Sequence, residues 1–123
     1  YGTKENPINL TIEADSSCAY FCDVNYGNIK FTGSADANNA NFCKNSTIIF
    51  EGDVQHACAT GGNDCNIYFY GEIAFGCADG SRNNRIFSPH IENLEKISKN
   101  DVVGNSKYFL LDEHDNAEEV KFK

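Results

Sequence analysis

A chain of 123 residues has room for one hydrophobic core and not for two, so residues 1–123 are read as a single domain. Its formal net charge of −8, with Lys and Arg scattered along the chain, argues against a partner held mainly through phosphates, and so against DNA. No apolar run approaches the ~20 residues that a membrane-spanning helix needs.

In chain order, Ile8, Leu10 and Ile12 alternate with polar neighbours and predict a short first strand. Residues 14–17 read as a turn. The segment Cys18-Ala19-Tyr20-Phe21-Cys22 then places two cysteines on one side of an extended chain, each facing a distant partner. Ile29 and Phe31 mark a second strand after the turn-like Asn25-Tyr26-Gly27-Asn28. Residues 33–42 are small and polar and read as a surface loop. Thr47 to Glu51 predicts a buried strand, and a loop from Asp53 to Asp64 carries His56, Cys58 and the Gly61-Gly62 pair.

The stretch from Cys65 to Cys77 is the strongest pattern in the chain. Cys65, Ile67, Phe69, Gly71, Ile73, Phe75 and Cys77 fall on one side of a two-residue period, with Asn66, Tyr68, Tyr70 and Glu72 on the other. This predicts one long central strand with a buried and a solvated face, bent near Gly71. Beyond it, Ser88 and Pro89 form a helix start, and Ile91, Leu94 and Ile97 give a narrow apolar stripe, so a helix is expected over about 89–100. Lys107–Leu111 and Glu118–Phe122 predict a hairpin around the loop 112–116. No internal repeat and no low-complexity linker stands out. The expected fold is α+β: a β-rich, disulfide-stapled domain with an antiparallel sheet and one short helix.

The six cysteines, Cys18, Cys22, Cys43, Cys58, Cys65 and Cys77, lack the CxxC pairs and histidine spacing of a zinc site. They predict a disulfide framework from an oxidising compartment, with connectivity open among fifteen pairings. A Cys65–Cys77 bond is set aside, because the ends of a continuous strand of that length stand about 40 Å apart. Asn9-Leu10-Thr11 and Asn45-Ser46-Thr47 offer glycosylation acceptors at Asn9 and Asn45. Together these features predict a secreted glycoprotein whose Tyr1 begins the processed form, with no metal and no cofactor.

Chemistry-bearing residues gather late in the chain. Glu72 stands in Tyr68-Phe69-Tyr70-Gly71-Glu72-Ile73, Arg85 in Asn84-Arg85-Ile86-Phe87, and His114 in Asp112-Glu113-His114-Asp115, with Arg82 close before Arg85. On these motifs residues 68–123 resemble the microbial guanyl-specific ribonucleases, of the barnase and fungal types. The resemblance implies Glu72 as general base, His114 as general acid, and Arg85 with Arg82 on the phosphate, in RNA cleavage through a 2′,3′-cyclic product. The same residues have plainer roles as solvated strand, surface and turn positions.

Tyr68 and Tyr70, with Glu72 beside them and Tyr20 or Tyr26 nearby, would make an aromatic binding face, since tyrosine joins an apolar ring to a polar tip. The competing expectation packs these tyrosines beneath helix 89–100. His56 and His90 are read as incidental. The favoured reading is a small secreted effector or toxin-like protein, in the pattern of a ribonuclease-like protein without catalysis, that binds a host or target protein or glycan through the exposed face of its sheet. An extracellular endoribonuclease, with RNA as partner, is the alternative, and a glycan-binding module is the third reading.

Overall fold

The computed structural model describes residues 2–13, 16–18, 23–37, 40–55, 59, 61–74, 82–99 and 105–122, with backbone alone at 16–18 and 37. Tyr20, Cys22, His56, Cys58, the 75–77 end of the expected central strand and the Cys18 side chain lie outside the described residues. The elements follow in the order β1 (Ile8–Ile12), β2 (Ser16–Cys18), β3 (Gly27–Phe31), β4 (Ala35–Ala37), β5 (Thr47–Phe50), β6 (Asn66–Phe69), β7 (Arg85–Ser88), α1 (Ile91–Lys99), β8 (Lys107–Leu111) and β9 (Ala117–Val120).

Seven of the strands form one sheet in the order β1-β3-β5-β6-β7-β8-β9, and every pair from β1 to β8 is parallel. The antiparallel sheet expected from sequence is therefore corrected. Its physical cause is the length of the connections. Roughly 15 residues separate β3 from β5 and β5 from β6, far more than a hairpin turn and enough for a complete circuit. Asn9, Asn28, Thr47, Asn66 and Arg85 stand side by side, one circuit of 19 residues apart. The chain is a β-solenoid with a repeating turn, and the expectation of no internal repeat is corrected with it. Among the described residues only the β8–β9 hairpin is antiparallel.

Each circuit has three sides. The first is the large sheet. The second carries β2 paired in parallel with β4, continued by the single bridges Ala35 to Val54 and Val54 to Ile73. The third is a ladder of bridges through Asn25, Lys44, Asn63 and Arg82. The long central strand is thus corrected to a short β6, a corner at 70–72, and a bridge residue at Ile73.

Residues at the corners explain why the chain turns there. Gly52 and Gly71 are stacked so closely that a Cβ on Gly71 would lie 2.5 Å from the Gly52 carbonyl oxygen, and one on Gly52 would lie 2.7 Å from that of Gly33. At the corner before the first side, Tyr26, Asn45, Asp64 and Asn83 all adopt left-handed backbone, with φ of 55°, 51°, 57° and 53°. Asn and Asp tolerate that region better than other residues with a side chain, which makes Tyr26 the exception in the column.

Inside, Ile29, Ile48, Ile67 and Ile86 form one fully buried column, and Phe31, Phe50 and Phe69 form another. The phenylalanine rings stack at centroid separations of 4.9 and 5.3 Å. Identical side chains recur because in-register turns place each on the last at the strand spacing of about 4.8 Å. Where the third side meets the first, side chains close the backbone: Gly27 N–H donates to Ser46 Oγ at 3.0 Å and Cys65 N–H to Asn84 Oδ1 at 2.8 Å. Cys43 and Cys65 are buried thiols in this packing rather than halves of bridges, so the disulfide-stapled reading fails at both. Burial raises the Cys65 thiol above its ordinary pKa.

Helix α1 falls within the expected span. Ser88 accepts the His90 N–H at 3.1 Å, and Leu94 and Ile97 face the core as the stripe required. The helix occupies the place a further turn would take on the second side, and Asn93 completes the ladder it interrupts. Its side chain accepts the Ile73 N–H at 3.3 Å and donates to the Gly71 carbonyl at 2.7 Å.

Candidate functional site

The outward side of the large sheet is built from the residues that alternate with the core columns. Its central column runs Thr11, Lys30, Ile49, Tyr68, Phe87 and Phe109. The last three are half-buried rings stacked nearly parallel, Tyr68 on Phe87 at 4.3 Å and Phe87 on Phe109 at 4.8 Å. Tyr70 extends the ridge sideways, 6.2 Å from Tyr68. The rings lie outside the buried core cluster, whereas Leu94 and Ile97 of α1 belong to it. The helix therefore packs on the opposite side of the sheet, and the expectation that it covers the tyrosines is not met.

Beside the ridge the side chains shrink. Asn9, Thr11, Asn28, Lys30, Thr47 and Ile49 line a shallow furrow of about 370 Å³. Asn28 Nδ2 donates to Asn9 Oδ1 at 2.8 Å, and Lys30 lies 3.7 Å from the Glu51 carboxylate between half-exposed side chains. The ridge has a polar border of its own. Tyr70 OH donates to Asp115 Oδ1 at 3.3 Å, and the Tyr70 carbonyl lies 3.1 Å from His90 Nε2. Partial burial first, and then the Asp115 charge, raise the Tyr70 hydroxyl above its ordinary pKa.

The structure brings Tyr68 and Tyr70 together as the sequence suggested, and carries the hairpin loop of His114 to the Tyr70 end of the sheet. It does not assemble the ribonuclease set. Arg85 lies next to Asn66 at the leading end of the strands, and its Nε donates to Asn66 Oδ1. Arg82 is on the third side, bridged to Asn63. Glu72 lies beyond the trailing end of β6, exposed, with its backbone N–H held by Asp53 Oδ1 at 2.9 Å. Asn66 to Tyr70 alone spans about 13 Å of strand, so Arg85 and Glu72 flank opposite ends of the sheet rather than one phosphate. His114 is largely exposed, 3.5 Å from Glu113.

Both glycosylation acceptors are exposed. Asn9 is on the outward face, and Asn45 is at a corner where its Nδ2 donates to Asn25 Oδ1 at 3.1 Å. Among the described residues no three His, Cys, Asp or Glu side chains gather as metal ligands, and no helix is long and apolar enough to cross a membrane.

Phe87 and Phe109 are the members of the face that sequence reasoning missed. The signal was present, since Phe87 follows Tyr68 by one circuit of 19 residues. The fold and face define the chain as a β-solenoid with a half-buried aromatic ridge on the outward side of its large sheet, away from α1. Comparisons with family models, curated proteins and solved structures find no match.

Proposed function

We propose that the chain acts by binding a target protein through the outward face of its large sheet, in the manner of a small secreted effector or toxin-like protein. The observation that carries this reading is the unbroken stack of Tyr68, Phe87 and Phe109, half-buried and on the side away from α1. Large aromatic surfaces ringed by polar groups are the usual anchors of protein recognition. A glycan is a poorer fit, because a sugar packs on a ring face and stacking turns the faces of Phe87 toward its neighbours. The ridge instead offers ring edges, which suit the side chains of a protein groove.

The test compares capture of partners by the wild-type chain, by the Phe87→Ser/Phe109→Ser double variant, and by Lys44→Glu on the third side. Loss of the same partner with the double variant alone supports the reading, provided its circular dichroism is unchanged. Capture indifferent to the ridge refutes it. Cleavage of a guanosine-containing dinucleotide, abolished by Glu72→Gln or His114→Ala, would replace binding with catalysis. Selective retention on a glycan array, lost in Tyr70→Ala, would put a sugar in the protein's place.

A further inference from the structure

The two ends of the solenoid are finished differently. At the far end, β9 adds an antiparallel strand with Glu118 and Glu119 exposed, and α1 closes the second side. Charged edge strands and capping elements are the devices by which sheet proteins prevent further pairing. At the near end, β1 pairs with β3 alone among the described residues. Ile8 N–H donates to the Tyr26 carbonyl at 3.0 Å and the Ile12 carbonyl accepts from Thr32 at 2.9 Å, which commits Ile8, Leu10 and Ile12 to the β3 side. By strand alternation the main-chain groups of Asn9 and Thr11 face the edge with which no described strand pairs. Ile8, Leu10 and Ile12, which point toward the core, are only half-buried, whereas their counterparts one turn on, Ile29 and Phe31, are 1% and 0% exposed.

We infer that the β1 edge is a pairing site for a second copy of this chain, joined antiparallel about a twofold axis through Leu10. The sequence of the strand, Ile8-Asn9-Leu10-Thr11-Ile12, has the same apolar–polar pattern read in either direction. Antiparallel pairing centred on Leu10 sets Leu10 against its own copy and Ile8 against the second copy's Ile12, so that two half-covered core ends become one continuous core. Asn9 meets Thr11 of the second copy, and these two exchange the main-chain bonds that a lone edge leaves to water. Head-to-tail stacking is blocked by β9 and α1, so the assembly stops at two copies.

The experiment is sedimentation of the 123-residue chain from micromolar to near-millimolar concentration, for the wild type and for Thr11→Pro. Proline removes only an edge-facing N–H and suits an outer strand, so the monomer fold, followed by circular dichroism, is retained. The wild type is expected to reach twice the monomer mass, and Thr11→Pro to raise the dissociation constant at least ~30-fold through the lost main-chain bonds. Should Thr11→Pro fail to fold, Thr11→Lys places a charge at the same edge and serves instead. A wild-type chain monomeric throughout, a dimer indifferent to both variants, or a series of larger species would overturn the inference.

Discussion

Replacing Asn93 with Leu should be among the most damaging changes on the helix, although it swaps a polar residue for an apolar one of the same branching. Asn93 is 2% exposed, and its side chain accepts the Ile73 N–H at 3.3 Å while donating to the Gly71 carbonyl at 2.7 Å and to Ser88 Oγ at 3.1 Å. Leu fills the space and strands the buried Ile73 N–H and the part-buried Gly71 carbonyl. A buried orphaned group costs ~1–3 kcal/mol and a part-buried one less, so the total is about 3 kcal/mol for the pair. At about 4 °C per kcal/mol for a domain of this size, the melting midpoint falls by about 12 °C. The measurement is thermal unfolding by circular dichroism, paired with urea unfolding to check that the slope is unchanged. Glu95→Leu, on the exposed side of the same helix, is the control and should move stability by no more than ~0.5 kcal/mol. A midpoint for Asn93→Leu within about 2 °C of the wild type would show that the helix does not complete the ladder through this side chain.

Tyr26→Asn relieves left-handed backbone in the column that already holds Asn45, Asp64 and Asn83, and should stabilise by ~0.5–1 kcal/mol, read as a rise of a few degrees in the same melting assay. Cys43 and Cys65 should resist alkylation in the native protein and react in denaturant without any reductant, as read by mass spectrometry; a need for reductant at either would restore the bridges. Asp112 accepts the N–H groups of Asn116 and His114 at 2.9 and 2.8 Å, which hold its carboxyl below the ordinary range. A lowered folded value means that this stabilisation is complete above the ordinary carboxylate range and disappears as pH falls through the lowered one. The amide resonances of His114 and Asn116 should therefore titrate together in that acid window, and Asp112→Ala should abolish the titration.

Much of the local structure was legible because the two-residue period reports burial whatever the strand's partner. Cys65, Ile67, Phe69 and Ile73 are buried as the alternation required, even though a corner intervenes at 70–72. The stripe of Leu94 and Ile97 and the final hairpin were legible for the same reason. Strand partners were not, because alternation carries no record of which strand lies alongside. That record sits in the 19-residue return of Ile29, Ile48, Ile67 and Ile86, of Phe31, Phe50 and Phe69, and of Gly33, Gly52 and Gly71. Cysteines offered a competing explanation of order, and at Cys43 and Cys65 their burial reflects packing alone. For the site, Tyr68 and Tyr70 were found because they are neighbours in sequence, whereas Phe87 and Phe109 join them only through the register.

The glycine corner and the columns beside it make this cylinder adjustable in length. Excising residues 47–65 would seat Ile67 on Ile29 and Phe69 on Phe31, with Gly71 against Gly33 and the edge strands β1 and β9 unaltered. Duplicating the same segment would lengthen the solenoid by one strand spacing, about 4.8 Å. Growth and shrinkage in whole circuits are open to such a chain in a way that a domain held by long-range pairings could not follow.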